Sequence, residues 1–459
     1  MFTLFFAGEI FAPNLLIDGI NIQTYLQQHY INAIAHLAQR IVATEGLADS
    51  VVLGYDTMNE PSPGWIGVED ISVLDSRQEL RMRLTPTPFE SILLGSGIPT
   101  TVETWGFGRF GPTKTGTEHV DPKSSRAWLD ERQCIWADHG VWDPSTNKLL
   151  RKDYFSINHK THAAIDFTKD CWIPFIEHFT SSLRAVHASA IIFVEPCVGV
   201  HPTSPLTTLG DRISYAPHWY DGLTLISKHF QKTFAVDYTG FKMGKYSNIV
   251  FSIKLGAKGV VDAHSASIAC LRDEGFETIG DHPVLLGETG IPFDMPASRA
   301  PEYKLQTQAM NALLDSLERA GVNFTLWNYV SDNTHAHGDG WNGEDLSLWS
   351  RDDARVKDAT DREGDEVFND GARCLDAFCR PYPTHTNGDP VSLKFDWKTK
   401  SMTYRFRHYG GHACWCVGSG SEDEVYTDFY LPRVHFPTAG DVVVKVDQGL
   451  WWVDVEGQR

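Results

Sequence analysis

The chain has 459 residues, of which 42% are hydrophobic and 22% are charged, so a substantial core can form and a disordered chain is excluded. This length suits a barrel of about 250 residues or more together with a second module. Acidic residues number 59 against 40 basic ones, and the formal charge of −19 argues against nucleic acid as a partner, because phosphate backbones would be repelled.

The membrane and compartment signals of the sequence are weak. No apolar run reaches the length of about 20 residues that a transmembrane helix needs. The start MFTLFFAGEIFAP lacks a basic leader region, and we expect a buried strand there instead of a signal peptide. The eight cysteines lack the spacing of a metal finger, which favours free thiols in a reducing compartment. The sequence predicts a cytoplasmic protein, with a vacuolar or membrane-associated location as the alternative.

Short apolar runs that end in polar or aromatic residues alternate with helical patterns in the first 330 residues. The predicted strands are TLFFAG (3–8), SVVLGYDTMNEP (50–61), AIIFVEP (190–196), YAPHWY (215–220), PVLLGETG (283–290) and NFTLWNYVSDN (323–333). Apolar residues recur at helical spacing from Leu26 to Ile41 and from Tyr303 to Leu317, and Gly321 ends the second pattern. This alternation predicts a parallel α/β architecture, namely a (β/α)8 barrel of TIM type.

Two stretches depart from this rhythm. Residues 70–185 form an insertion rich in Gly, Pro and aromatic residues, which is either a substrate-binding wall or a structural subdomain. After about residue 375, the segments SLKFDW, MTYRFRHY and DVVVKVDQGLWWVDV alternate in polarity. The sequence therefore predicts a catalytic barrel over residues 1–370 and a C-terminal antiparallel β-sandwich over residues 375–459.

The beginning of the predicted barrel is short. Glu60 should end the fourth barrel strand, but only 59 residues precede it. Three complete strand–helix units need roughly 90 residues or more at ordinary element lengths. We therefore expect that the barrel lacks its early strands, unless another segment closes the sheet.

Two glutamates carry the predicted chemistry. Retaining glycosidases need one protonated carboxyl group for the leaving oxygen and one ionised carboxylate for the anomeric carbon, about 5 Å apart. Glu60 in NEP and Glu288 in LLGETG both follow apolar runs, where barrel enzymes place their catalytic groups. We expect Glu60 to be the acid/base and Glu288 the nucleophile. Glu195 in FVEPC also follows an apolar run, and we expect of it a support role or none.

Polar and aromatic residues near these glutamates are candidates for substrate binding. Asn59 can hold the sugar 2-hydroxyl, and His218 can donate to the acid/base or to a sugar hydroxyl. Tyr220 can donate to the nucleophile and keep it ionised. Trp327 can form the floor of the sugar subsite, although a core tryptophan is the alternative.

The loop HGDGWNGEDLSLW follows the last predicted barrel strand and is also a candidate. Trp341 and Glu344 suit recognition of sugar hydroxyls, while a plain solvated loop or a calcium-binding loop is the alternative. The spacing departs from that of an EF-hand, so no metal is expected, and no cofactor is required by the predicted chemistry.

The motifs NEP, HWY, LLGETGIPFDM and LWNYVSDN, in this order, resemble glycoside hydrolase family 5, in its fungal glucosylceramidase and steryl-β-glucosidase branch, which is related to endoglycoceramidases. The resemblance extends to TLFFAG, to WN-x-EDLSLWS and to the tail from RPYP (380–383). It implies the same two glutamates in their two roles, and Asn59, His218, Tyr220 and Trp327 as supporting residues. Members also use an Arg and a His from an upstream DMHQD-like segment, which has no match in this sequence.

The predicted activity is hydrolysis of a β-glucosyl lipid, either glucosylceramide or ergosteryl β-glucoside, through a covalent glycosyl-enzyme. Trp105 and Phe107 would belong to an apolar wall for the lipid. Peripheral contact with a membrane is compatible with such a substrate. The alternatives are a β-glucanase that acts on polysaccharide and a catalytically inactive truncated chain that binds glycolipid.

Overall fold

A computed structural model describes the chain except for residues 79, 109–110, 130–131, 298–299, 301, 356–368, 409–425, 448–449 and 454–459. Two compact units make up the structure. The first comprises Met1–Tyr215 and Thr278–His282, and the second comprises Ala216–Glu277 and Pro283–Arg459. No helix of the described residues is both long enough and apolar enough to cross a bilayer.

The helices and strands alternate through much of the described chain. The helices are α1 (Phe2–Phe11), α2 (Ile22–Ala43), α3 (Pro88–Gly95), α4 (Ile135–Asp138), α5 (Ile173–Arg184), α6 (Gly222–Ser227), α7 (Tyr238–Lys242), α8 (Gly256–Ile279), α9 (Lys304–Ala320) and α10 (Leu375–Phe378). The strands of the first unit are β1 (Leu16–Ile17), β2 (Ile20–Asn21), β3 (Gly54–Asp56), β4 (Arg83–Thr85), β5 (Thr100–Gly108), β6 (Gly111–Val120), β7 (Trp142–Asp143), β8 (Lys148–Leu149), β9 (Ile191–Val194) and β10 (Ile213–Tyr215). Those of the second unit are β11 (Phe234–Val236), β12 (Ile253–Leu255), β13 (Leu285–Thr289), β14 (Asn323–Leu326), β15 (Tyr382–His385), β16 (Gly388–Asp396), β17 (Ser401–His408) and β18 (Asp428–Tyr430).

A parallel three-stranded sheet of order β10–β9–β3 forms the centre of the first unit. Ile192 of β9 lies between Tyr55 of β3 and Ile213 of β10 in the register. Ile192 and Val194 are fully buried, because strands of a parallel sheet are covered on both faces. The predicted strands in 50–61 and 190–196 are therefore confirmed, although β3 begins only at Gly54.

The prediction of a strand at residues 3–8 is wrong, since these residues lie in α1. Phe5, Phe6 and Phe11 are all buried, and Phe5 packs edge-on against Phe175 of α5. A helix that is buried on nearly every side has no polar stripe, so a short apolar run of this kind does not distinguish a strand from a helix. The Gln27 side chain donates to the Phe5 carbonyl and ties α1 to α2.

The insertion 70–185 contains an antiparallel sheet of order β4–β5–β6. β5 and β6 pair from Thr100 opposite Val120 to Gly108 opposite Gly111, which makes a long hairpin. Trp105 on β5 is partly buried, with the Arg81 guanidinium 5.0 Å from its ring centre and its indole N–H donating to Glu103. Helix α5, which ends the stretch, packs against α1 and α2 through Phe175 and Phe179.

Helix α9 anchors the core of the second unit. Its buried face carries Met310, Leu313 and Leu317, as the helical spacing predicts, and Gly321 ends the helix with a φ of 67°. A left-handed C-terminal residue is the usual place for glycine. β13 and β14 run parallel beside this helix, which confirms the strands predicted within 283–290 and 323–333.

The C-terminal segment pairs β16 with β17 and β15 with β18, both antiparallel, as the alternating pattern predicts. Arg380, which is 5% exposed, donates to the Asp315 and Glu318 carboxylates of α9 at 2.9 and 2.7 Å. The strand expected within DVVVKVDQGLWWVDV is wrong for its described residues, which lie in no strand. Val443 and Trp452 are 83% and 70% exposed, and alternation produces a strand only where a partner strand pairs with it.

Candidate active site

Thr57 follows β3 directly, and its hydrogen bonds join the end of β3 to the end of β9 in the first unit. Its N–H donates to the Phe193 carbonyl at 3.0 Å, which extends the pairing of β3 with β9. Its fully buried hydroxyl accepts from the Glu195 N–H at 3.1 Å. The Tyr30 hydroxyl of α2 donates to the Thr57 carbonyl at 2.9 Å. The polar residues that end β3 and β9 are therefore held side by side.

Glu60 occupies a special backbone position on this frame. Its φ is 44°, in the left-handed region that residues with a side chain avoid at a cost of about 1 kcal/mol. Its N–H donates to the Glu195 carboxyl group at 2.5 Å, and this contact holds the peptide in place. The side chains of Glu60 and Asn59 are exposed. Glu195 thus contacts the peptide that carries the predicted acid/base.

Glu195 is 1% exposed and hydrogen-bonds the Asp56 side chain. Burial, with the Asp56 carboxylate as the next cause, raises the pKa of Glu195 to about 9, while the hydrogen bond from Glu60 opposes this rise. A carboxyl group with this pKa keeps its proton at neutral pH. Asp56 and Glu195 therefore form a proton-sharing pair behind Glu60. Sequence reasoning missed Asp56, for which the only signal was its position at the end of a predicted strand.

In the second unit, the segment after β10 runs parallel to β13. The Gly287 N–H donates to the Pro217 carbonyl at 2.9 Å, and the Trp219 N–H donates to the Glu288 carbonyl at 3.0 Å. His218 and Glu288 are partners in this short parallel bridge. The predicted strand at 215–220 is therefore confirmed in part, since β10 ends at Tyr215 and only the bridge at His218 continues it.

Both carboxylate oxygens of Glu288 face a predicted supporting residue. The Tyr220 hydroxyl donates to Glu288 Oε1 at 2.7 Å, and His218 Nδ1 lies 3.7 Å from Glu288 Oε2. The His218 and Glu288 side chains are only 6% and 14% exposed. A hydrogen bond from a phenol fixes the orientation of the carboxylate that accepts it, and a positioned carboxylate is what nucleophilic catalysis needs. The structure brings these three predicted residues together.

Two tryptophans, one directly after β14 and one in the loop that follows it, lie near each other. The Trp327 N–H donates to the Thr289 carbonyl at 2.7 Å, directly after β14. A Cβ at Gly290 would lie 2.3 Å from the Trp327 carbonyl oxygen, so only glycine fits there. The Trp327 and Trp341 rings are 6.5 Å apart at an interplanar angle of 66°. Trp341 is exposed, and its indole is accessible to a ligand.

In the acidic loop after β14, HGDGWNGEDLSLW, some residues hold the loop in place and others are accessible to a ligand. Asp339 and Asp345 are buried, and both accept from the Asn333 side chain, at 2.8 and 3.0 Å. Arg373, which is 1% exposed, donates to Asp345 at 2.7 Å. Glu344 is partly buried, and its backbone carbonyl accepts from the Asp339 N–H. The two aspartates therefore fix the loop that presents Trp341 and Glu344. Arg373 is distant in the sequence and gave no signal.

The chain is similar to several known proteins. The glycoside hydrolase family 5 C-terminal domain matches residues 380–459. A glucosylceramidase from Aspergillus fumigatus is 37% identical over 525 residues, which cover 99% of this chain and 68% of the relative. An ergosteryl-β-glucosidase from Saccharomyces cerevisiae is 34% identical over 384 residues, which cover 77% of this chain and 50% of the relative. The crystal structure of sterylglucosidase 1 from Cryptococcus neoformans is similar with a TM-score of 0.86 at 36% identity, covering 94% of this chain and 64% of that one.

The chain thus spans between half and about two thirds of the length of these relatives. The likeness to the sterylglucosidase structure extends over nearly the whole chain and gives the fold as a TIM-type barrel with a C-terminal domain. The chain belongs to glycoside hydrolase family 5, in the branch of the fungal glucosylceramidases and ergosteryl-β-glucosidases.

Proposed function

We propose that the chain is a retaining β-glycosidase that hydrolyses β-glucosyl lipids, glucosylceramide or ergosteryl β-glucoside. The single observation that carries the proposal is the environment of Glu288, a largely buried carboxylate that accepts from Tyr220 and faces His218. The names of the relatives support the class of substrate, since they are a glucosylceramidase, an ergosteryl-β-glucosidase and a sterylglucosidase.

In the first step, Glu288 attacks the anomeric carbon and the bond to the lipid oxygen breaks. The proton for that oxygen comes from Glu60, the acid/base. The Tyr220 hydroxyl donates to one oxygen of Glu288 and so orients the nucleophile. In the second step, Glu60 takes a proton from water, which then displaces Glu288 and restores both groups.

The remaining predicted residues bind the substrate in this proposal. Asn59 precedes the acid/base and would donate to the sugar 2-hydroxyl. Trp327 and Trp341 would face the glucose ring, with Glu344 accepting from a sugar hydroxyl.

The hairpin of β5 and β6 would supply the apolar wall for the lipid, through Trp105 and Phe107. Both side chains are partly buried within an ordered sheet, so the wall would be preformed. Replacing both by Ala should raise the KM for lipid glucosides and leave the KM for a small soluble glucoside unchanged. An equal rise for both substrates would contradict this role.

The finer features of the fold are also proposals. β3, β9 and β10 pair in parallel in the first unit, and β13 and β14 pair in parallel in the second, so we propose both groups as strands of a barrel. The antiparallel pairs of β15 with β18 and β16 with β17 support a C-terminal β-sandwich.

We propose the cytosol as the compartment, on the cysteine pattern of the sequence, and fractionation of cells that express the tagged chain would test it.

The experiment that tests the proposal is glucose release from glucosylceramide and ergosteryl β-glucoside, measured side by side. The wild-type chain should release glucose from at least one lipid, and Glu288→Gln should abolish it. Glu45→Gln is the matched control, because this glutamate is exposed on the surface. No release from either lipid, or equal release from the Glu288 variant, would contradict the proposal. Release from laminarin or cellulose alone would instead indicate a β-glucanase.

A further inference from the structure

A lysine-rich segment of the second unit has the opposite charge to the rest of the chain. Residues 232–258, named here the lysine segment, contain five lysines and a single acidic residue, Asp237. The segment has a formal charge of +4 in a chain whose total is −19. The lysines are Lys232, Lys242, Lys245, Lys254 and Lys258. This local excess of positive charge would attract an anionic surface.

The lysine segment also exposes large apolar side chains next to these lysines. Val250, Phe251 and Leu255 are 62%, 64% and 78% exposed, and Ile249 and Ile253 are exposed as well. A group of exposed apolar residues within seven positions of the chain is typical of an interaction site, whereas single exposed residues are ordinary.

The exposure of these side chains is built into an ordered structure. β11 and β12 pair antiparallel from Phe234 opposite Leu255 to Val236 opposite Ile253. The fully buried Asp237 follows β11 and accepts from the Gly240 N–H at 3.0 Å. The same carboxylate accepts from the hydroxyls of Tyr246 and of Ser267 on α8, at 2.9 and 2.8 Å. One buried carboxylate therefore fixes the segment that presents the apolar residues.

The positions of the lysines leave the apolar residues uncovered. Lys254 Nζ and Lys245 Nζ both lie 5.6 Å from the centre of the Tyr246 ring. Lys258 pairs with Asp262 at 2.7 Å, and Lys232 and Lys242 are exposed. Lys245 also pairs with Asp237 at 3.4 Å. Along the chain, Lys245 and Lys258 stand on either side of the exposed apolar residues 249–255, and Lys254 lies among them. Apolar side chains bordered by lysines match the boundary of a lipid bilayer, where acyl chains lie beneath anionic headgroups.

We infer that the lysine segment is a docking surface for an anionic membrane. Val250, Phe251 and Leu255 enter the boundary between headgroups and acyl chains, while the lysines contact lipid phosphates. This surface does not depend on the proposed hydrolysis, since docking requires no cleavage. It would keep the chain at the bilayer in which a glycolipid resides.

Vesicle co-sedimentation of the full chain tests this inference, with phosphatidylcholine vesicles that contain or lack phosphatidylserine. Wild-type protein should bind the anionic vesicles, and the binding should weaken in high salt. Lys232→Glu with Lys242→Glu should raise the lipid concentration for half-maximal binding by about 25-fold or more, since each lysine near the surface contributes about fivefold. Val250→Ser with Phe251→Ser should weaken binding to the same vesicles by at least about tenfold.

Matched controls use exposed residues of the C-terminal segment. Lys394→Glu with Lys398→Glu makes the same change of charge, and Val391→Ser removes a valine that is 63% exposed. Neither control should change vesicle binding by more than about twofold.

Three outcomes would overturn the inference. The first is no binding of the wild-type chain to anionic vesicles, and the second is equal losses in the controls and in the lysine-segment variants. The third is a dimer in light scattering that Val250→Ser with Phe251→Ser dissociates, which would assign the surface to a second copy of the chain.

Hydrolysis of a soluble β-glucoside, measured in parallel, should be the same for every variant. If the wild-type chain has no activity on that glucoside, only the proposed function fails and vesicle binding still decides the docking surface.

Discussion

Replacing Glu195 by Gln should make the chain more stable at neutral and alkaline pH. Burial beside Asp56 raises the pKa of Glu195 from 4.5 to about 9. Below about pH 4.5 both the folded and the unfolded chain hold this proton, so Glu195 does not lower the free energy of unfolding there. Between about pH 4.5 and 9 only the folded state keeps the proton, and stability is lost as the pH rises. Gln is neutral at every pH and lacks this loss.

The size of the effect follows from the pKa shift. One pKa unit corresponds to about 1.4 kcal/mol, so the loss at pH 7 is at most about 3 kcal/mol. Because Asp56, the partner of Glu195, is exposed to solvent, we expect a loss of stability at pH 7 of about 1–3 kcal/mol. For a chain of this size, such a change shifts the melting temperature by a few degrees.

Thermal unfolding of both proteins at about pH 5, 7 and 8.5 measures this effect. The advantage of Glu195→Gln should grow with pH, whereas the exposed Glu118→Gln should differ from wild type by the same amount at each pH. An advantage that is constant or shrinks with pH would mean that Glu195 is ionised and would refute the reasoning.

The Gln variant should also keep its glucosidase activity, because its side-chain oxygen still accepts from the Glu60 N–H. Glu195→Ala should lose about 5- to 100-fold in kcat, since the peptide that carries Glu60 is then unsupported.

The remaining predictions concern the catalytic groups and the C-terminal segment. Tyr220→Phe should lower kcat by about 10- to 100-fold, because a hydrogen bond to the charged Glu288 is lost; a change below about twofold in steady-state kinetics would contradict this role. Glu60→Gln should lose about 10²- to 10⁴-fold on lipid glucosides. On dinitrophenyl β-glucoside, whose leaving group needs no proton, the variant should still form the glycosyl-enzyme in a pre-steady-state burst, and an equal slowing of glycosyl-enzyme formation on both substrates would exclude the acid role. Arg380→Ala should destabilise the chain by about 3–5 kcal/mol in denaturant unfolding, because the buried Glu318 carboxylate of α9 loses its partner. The exposed Arg405→Ala is its control, and similar losses in both would contradict the argument.

The elements that the sequence predicted correctly have a strong and unambiguous pattern. Helix α9 has apolar residues at helical spacing from Met310 to Leu317 and a glycine at its end, so its period and its boundary were both readable. β13 is an apolar run closed by glycines, and its position allowed Glu288 to be picked out. The helix α1 was mistaken for a strand because its ten residues are almost uniformly apolar, and burial on every side removes the periodicity that separates the two structures.

The candidate site was predictable as residues and not as contacts. His218, Tyr220 and Glu288 were each singled out by sequence, whereas the hydrogen bond between Tyr220 and Glu288 depends on the register of two segments 68 residues apart. The proton-sharing pair of Asp56 and Glu195 could not be read, because a pKa depends on burial and on neighbours that are distant in the sequence.

Trapping of the glycosyl-enzyme tests the central claim most directly. The chain would be incubated with a 2-deoxy-2-fluoro-β-glucosyl fluoride, which forms the intermediate quickly and hydrolyses it slowly, and then digested for peptide mass spectrometry. We predict one fluoroglucosyl group, attached to Glu288 and absent from Glu288→Gln. Attachment to another carboxylate, or release of α-glucose as the first product from a lipid glucoside without any adduct, would contradict the assignment of Glu288 as the nucleophile of a retaining enzyme.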